Sequence, residues 1–127
     1  MHQQVRLSPA LSPPDLEQVL EIIAAAGINI VAVGGSNLEH GGEFAFSLED
    51  DATTKKAFDL LKSKGYKPRL ADVDLFWLTD QPGQLLAKVR EVAAKNKASG
   101  KAIQDIAVGP PGPNGQIRVE IYSARRG

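Results

Sequence analysis

The chain has 127 residues, 43% hydrophobic and 24% charged, which suits one globular domain or two very small ones and excludes disordered and fibrous classes. Lys and Arg total 15 and so do Asp and Glu, so the net positive charge that drives phosphate binding is absent and no nucleic-acid partner is expected. There is no Cys, which removes disulfides and thiolate or zinc–thiolate chemistry, and no run approaches the roughly 20 apolar residues of a membrane span. With no apolar signal core at its start, the chain is expected in the cytoplasm and away from membranes.

Residues 3–7 (QQVRL) put Val5 and Leu7 on one side of a short strand. Ser12, Pro13 and Asp15 then signal a helix start: a hydroxyl cap, a proline at the first helical position and a capping-box acid. Leu16, Val19, Leu20 and Ile23 form one apolar stripe, and Gly27 ends it. INIVAVGG (28–35) reads as a buried strand and SNLEHGG (36–42) as a turn. EFAFSLED (43–50) alternates, with Phe44, Phe46 and Leu48 facing one way, and predicts a half-buried strand antiparallel to the previous one. Asp51 or Thr53 caps a second helix whose apolar face is Ala57, Leu60 and Leu61, and which stops at Gly65. YKPRLADVDLFWL (66–78) holds one or two strands, interrupted near Pro68 or Asp72, and its apolar second part is expected at the centre of a sheet. A third helix follows in PGQLLAKVREVAAK (82–95), then strands in AIQDIAVG (102–109) and QIRVEIYS (116–123), joined by the Pro/Gly-rich turn 109–116.

Residues 3 to about 71 therefore read strand–helix–strand–strand–helix–strand. That order predicts an α+β fold, an antiparallel sheet with helices on one face, in the ferredoxin-like βαββαβ arrangement. The order then restarts as a βαββ unit, truncated before a second helix and last strand. Two units, 1–71 and 72–127, are expected, possibly as one joint domain. Their apolar positions match in order: Leu16, Leu20 and Ile23 with Leu85, Val89 and Val92, and Phe44, Phe46 and Leu48 with Ile117, Val119 and Ile121. Ile28, Val31, Ala32, Val33 and Gly34 match Ile103, Ile106, Ala107, Val108 and Gly109, so both units carry Ala-Val-Gly. About six extra residues fall within KNKASGK of the second unit.

Asp80-Gln81-Pro82-Gly83-Gln84-Leu85 resembles the D-x-P-G-x-L motif that opens ACT domains, βαββαβ regulatory modules that commonly bind amino acids. Gly27-Ile28-Asn29-Ile30 is similar to the family's segment between first helix and second strand. The resemblance covers nearly the whole chain as two units. It departs from the family at Ser12-Pro13-Pro14-Asp15-Leu16, where Pro14 replaces an amide donor, and at Ile103-Gln104-Asp105-Ile106. Each unit thus keeps one half of the binding signature. The resemblance implies one amino-acid site, in which Asp80, Gln81, Pro82, Gly83, Gln84 and Leu85 of the second unit face Asn29 and Ile30 of the first.

The residues themselves leave alternatives open. The 79–84 loop leads into a helix whose first amides lack partners, and Gly83 lets a carboxylate approach the backbone. Equally, Asp80 serves as a simple helix cap and Pro82 sets the first turn. Asn29 either meets a ligand or caps a turn, and Ile30 either lines the site or packs in the core. Gly34, Gly35, Gly41 and Gly42 lie between strands, not before a helix, so they are no phosphate loop. Asp72 and Asp74 share a strand face, as general acid–base groups or as a solvated strand start. His2 and His40 have no metal-ligand spacing, and no nucleophile–base set appears, so neither a metal, a cofactor nor an enzymatic activity is expected. Phe44 and Phe46 share a face but lack the basic surroundings of an RNA-stacking surface. The missing last strand exposes an edge, which predicts a homodimer. The competing reading is a ligand-free dimerisation module with an ACT-like fold.

Overall fold

The alternating stretches form strands and the three amphipathic ones form helices, in the order β1 (His2–Leu7), α1 (Pro13–Ala25), β2 (Ile30–Ser36), β3 (Glu43–Leu48), α2 (Asp51–Ser63), β4 (Pro68–Thr79), α3 (Gln84–Ser99), β5 (Lys101–Pro111) and β6 (Gln116–Arg125). The computed structural model describes residues 2–8, 13–36, 43–79, 81–112 and 114–125. The Ser12 cap, the 37–42 part of the predicted turn and His40 lie outside them.

The architecture is α+β, a six-stranded antiparallel sheet in the order β2-β3-β1-β4-β6-β5. The helices lie on one face. Alternation along β4 puts Leu70, Phe76 and Leu78 on the same side, Leu70 against the core under α1 and α2 and the others against α3. Under α1 and α2, Val5, Leu7, Phe46 and Leu48 pack with Val19, Ile23, Ala57 and Leu61, all buried. Under α3 the buried set is smaller: Leu78, Val92, Val119 and Ile121.

Several expectations need correction. The predicted interruption near Pro68 or Asp72 is absent: β4 is one strand of 12 residues that pairs with β1 over Pro68–Val73 and with β6 over Asp74–Thr79. Pro68 stands at its first position, where a missing amide hydrogen costs little, and Asp72 faces outward and accepts from Gln3 Nε2 at 3.2 Å. The 71/72 boundary therefore falls inside a strand. The α2 cap is Asp50, not Asp51 or Thr53; its carboxylate accepts from the Thr53 amide at 2.7 Å. That bond holds the Asp50 carboxyl below its usual pKa. The third helix, expected over 82–95, runs from Gln84 on through KNKAS to Ser99.

β3 is not half-buried: Ala45, Phe46, Ser47 and Leu48 are all buried. The reason is the curl of the sheet, which closes the face away from the helices on itself. β5 returns against β2 so closely that a Cβ on Gly34 would lie 3.2 Å from the Ala107 Cβ, and one on Gly109 would lie 3.1 Å from the Val31 carbonyl oxygen. The Ala-Val-Gly shared by the two units thus forms the seam, where only small residues let the edges meet.

The enclosed face is polar. Arg6, fully buried, donates from Nε to Glu43 at 3.2 Å, from Nη1 to Gln4 at 3.0 Å, and from Nη2 to Asp105, while its guanidinium carbon lies 3.9 Å from the centre of the Tyr122 ring. Arg69 joins the set through Glu43 at 2.8 Å and the Tyr122 hydroxyl at 2.9 Å. Arg118 Nη2 donates to the Leu48 carbonyl at 2.9 Å and lies 2.7 Å from His2 Nε2. The same nitrogen lies 2.9 Å from Oε1 of the buried Glu120.

Candidate functional site

The loop between β4 and α3 is built by one residue with positive φ. Gly83, at φ +83°, is the helix cap, and it has no side chain to cap the helix itself. The alternative in which Asp80 caps and Pro82 occupies the first helical position does not hold for Pro82, which precedes the cap; Asp80 lies outside the described residues. Within the loop Gln81 N donates to Thr79 O at 2.8 Å and Gln84 N to Gln81 O at 3.3 Å. The Leu85 and Leu86 amides bond to no described residue, and the start of α3 carries the positive end of its dipole.

A cleft of about 170 Å³ opens beside this loop. Thr79, Gln81, Gln84 and Leu85 wall it, with Val108 of β5 opposite, and Leu78, Ile117 and Val119 lie beneath. Gln81, Pro82, Gly83, Gln84 and Leu85 are all exposed. Of the first-unit residues expected here, Asn29 is exposed and Ile30 packs against the core under α1 and α2; neither lines the cleft. The connection runs through the seam. Val108 walls the cleft, and Gly109 beside it lies against the carbonyl of Val31, next in sequence to Ile30.

Other sequence-derived candidates land elsewhere. Phe44 and Phe46 face the core, with ring centres 5.8 Å apart, so they offer no stacking platform. Trp77 is 47% exposed and packs beside Gly112 of the following turn. Asp74 accepts from Lys95 Nζ at 2.7 Å, an ion pair and not a catalytic pair with Asp72. No group of His, Asp and Glu able to hold a metal occurs among the described residues.

The sequence reading missed a polar cleft of about 380 Å³ between the end of α3 and strands β4 and β6. At its base Asn96, 3% exposed, donates to Ser123 Oγ at 2.8 Å. The signal was a break in periodicity. Asn96 follows Val89 and Val92 on the inward stripe of α3, and Ser123 follows Ile117, Val119 and Ile121 on β6.

No family model matches the chain, and no curated protein matches it. Among solved structures, the chain is similar to protein BT0572 from Bacteroides thetaiotaomicron, with 21% identity and a TM-score of 0.67 over 98% of this chain and 80% of that one. At that identity the likeness concerns the fold. No helix among the described residues is long and apolar enough to cross a membrane.

Proposed function

We propose that the chain is a regulatory module of ACT type, binding a small amino-acid-like ligand at the 81–85 loop across the β2–β5 seam, in a cytoplasmic setting and without catalysis of its own. The observation that carries the reading is a helix start with a glycine at its cap position that opens on a cleft beside that seam. A carboxylate there meets the Leu85 and Leu86 amides, which bond to no described residue, while Gln81 and Gln84 offer amide groups to an ammonium. The order β2-β3-β1-β4 supports a ferredoxin-like first unit, and β4-β6-β5 supports a second unit that repeats its first three strands and shares β4.

A thermal-shift screen against the standard amino acids tests the ligand. At least one is expected to raise the melting temperature with concentration, and Gln84→Glu, which puts a negative charge at the exposed helix start, is expected to abolish the rise. No shift with any of them favours the second reading, a ligand-free dimerisation module. That reading draws on the small cleft volume and on the exposed Val33, Leu85, Leu86 and Val108. In either case a homodimer forms along Asp74–Thr79, which pairs only with β6 among the described residues. Light scattering at micromolar concentration that finds only monomer refutes the dimer.

A further inference from the structure

The helix-facing side of the second half changes character abruptly. Phe76, Leu78, Val119 and Ile121 are apolar, and then Asp74, Asp72 and Ser123 follow on the same side of β4 and β6. In the first half the equivalent area is covered by α2, through Ala57 and Leu61. In the second half no described helix covers it, and the 380 Å³ cleft lies there, within the roughly 300–1,000 Å³ usual for small-molecule sites.

Its lining is balanced in charge, with Asp72 and Asp74 against Lys95 and Lys101. The balance is not made by two ion pairs. Lys95 is bound to Asp74 at 2.7 Å. Among the described residues the Asp72 carboxylate meets only the neutral amide of Gln3, at 3.2 Å, and the Lys101 ammonium bonds to none. These two stand on β4 and β5, on either side of β6, with strands about 4.8 Å apart in a sheet. One small molecule can touch both. An anion would satisfy Lys101 alone and a cation Asp72 alone; a molecule with both charges satisfies both without breaking Lys95–Asp74. Beneath them, a buried amide and a half-buried hydroxyl stand where apolar side chains would continue the core. Polar groups there cost stability unless bonded, and Asn96 and Ser123 bond to each other.

We infer that this cleft is a separate binding site for a zwitterionic aminocarboxylate, its ammonium on Asp72 and its carboxylate on Lys101. It is independent of the loop at 81–85. The test is an amide-shift titration of the full chain by NMR with L-serine, and with acetate and methylammonium as single-charge controls. Saturable shifts are expected at Ser99, Lys101 and Ser123, with each control binding at least about tenfold more weakly, a difference of about 1.4 kcal/mol. Asp72→Asn and Lys101→Gln, both at solvent-facing side chains, are each expected to weaken L-serine by about tenfold with folding intact. No saturable shift at these amides, binding unchanged in both variants, or acetate binding as tightly as L-serine would overturn the proposal. L-serine shifts confined to Gln84–Leu86 would also overturn it while supporting the loop reading.

Discussion

The two halves of the sheet, β2-β3-β1-β4 and β4-β6-β5, are not equally closed. The first buries its apolar side under two helices, with Ala57 and Leu61 of α2 adding to the stripe of α1. The second has α3 alone above a smaller core, and its outer positions turn polar at Asn96 and Ser123. The side that both halves share is closed by charge and by small residues at the seam. One sheet thus uses hydrophobic burial where a helix covers it and a hydrogen-bonded polar layer where it folds over itself.

The sharpest way to break that comparison is at the polar layer. Arg6→Ala leaves the buried Asp105 without its cation and Glu43 with Arg69 alone, and is expected to cost about 3–5 kcal/mol, read from the urea midpoint. A cost near zero would mean that the enclosed layer does not hold the halves together. Next come matched truncations. Leu61→Ala, fully buried between α2 and the sheet, is expected to cost about 4 kcal/mol, and Leu78→Ala in the thinner core about 2–3 kcal/mol. Equal costs would erase the contrast. At the seam, Gly34→Val is expected to cost about 1–3 kcal/mol by overpacking against Ala107.

The smallest effect sharpens the first half alone. Asp50 has a lowered pKa because its charged form accepts the Thr53 amide. Its contribution is therefore present above the ordinary carboxylate range and is lost as pH falls through the lowered value. Asp50→Asn keeps a good cap but removes the titration, so urea midpoints measured at neutral and acid pH should fall less steeply than in the parent.

Local pattern revealed the elements and their order, since three of the strands and all three helices carry clear periodicity. It failed where the outcome depends on distant partners. Phe44, Phe46 and Leu48 marked the inward side of β3, but Ala45 and Ser47 are buried only because β5 and β6 fold over them. Arg6 and Asp105 meet across most of the chain, and no spacing rule links them. Pro68 and Asp72 looked like breaks because each is a poor strand residue in isolation; position and solvent exposure make both acceptable. At the loop, Gly83 was legible as a point of close approach. Its role as the cap was not, since Asp80 and Pro82 offered a better cap by composition. Asn96 and Ser123 were visible as departures from an apolar stripe, but their meaning needs the helix and strand to be brought together.

The seam has a consequence for synthesis. Residues near Val31 cannot find Gly109 until β5 has left the ribosome, so β2 must wait with one side open while the middle of the chain is made. Contacts between such distant segments form slowly, because chain entropy is lost before the contact repays it. Ring closure is therefore expected to be the late, rate-limiting step of folding.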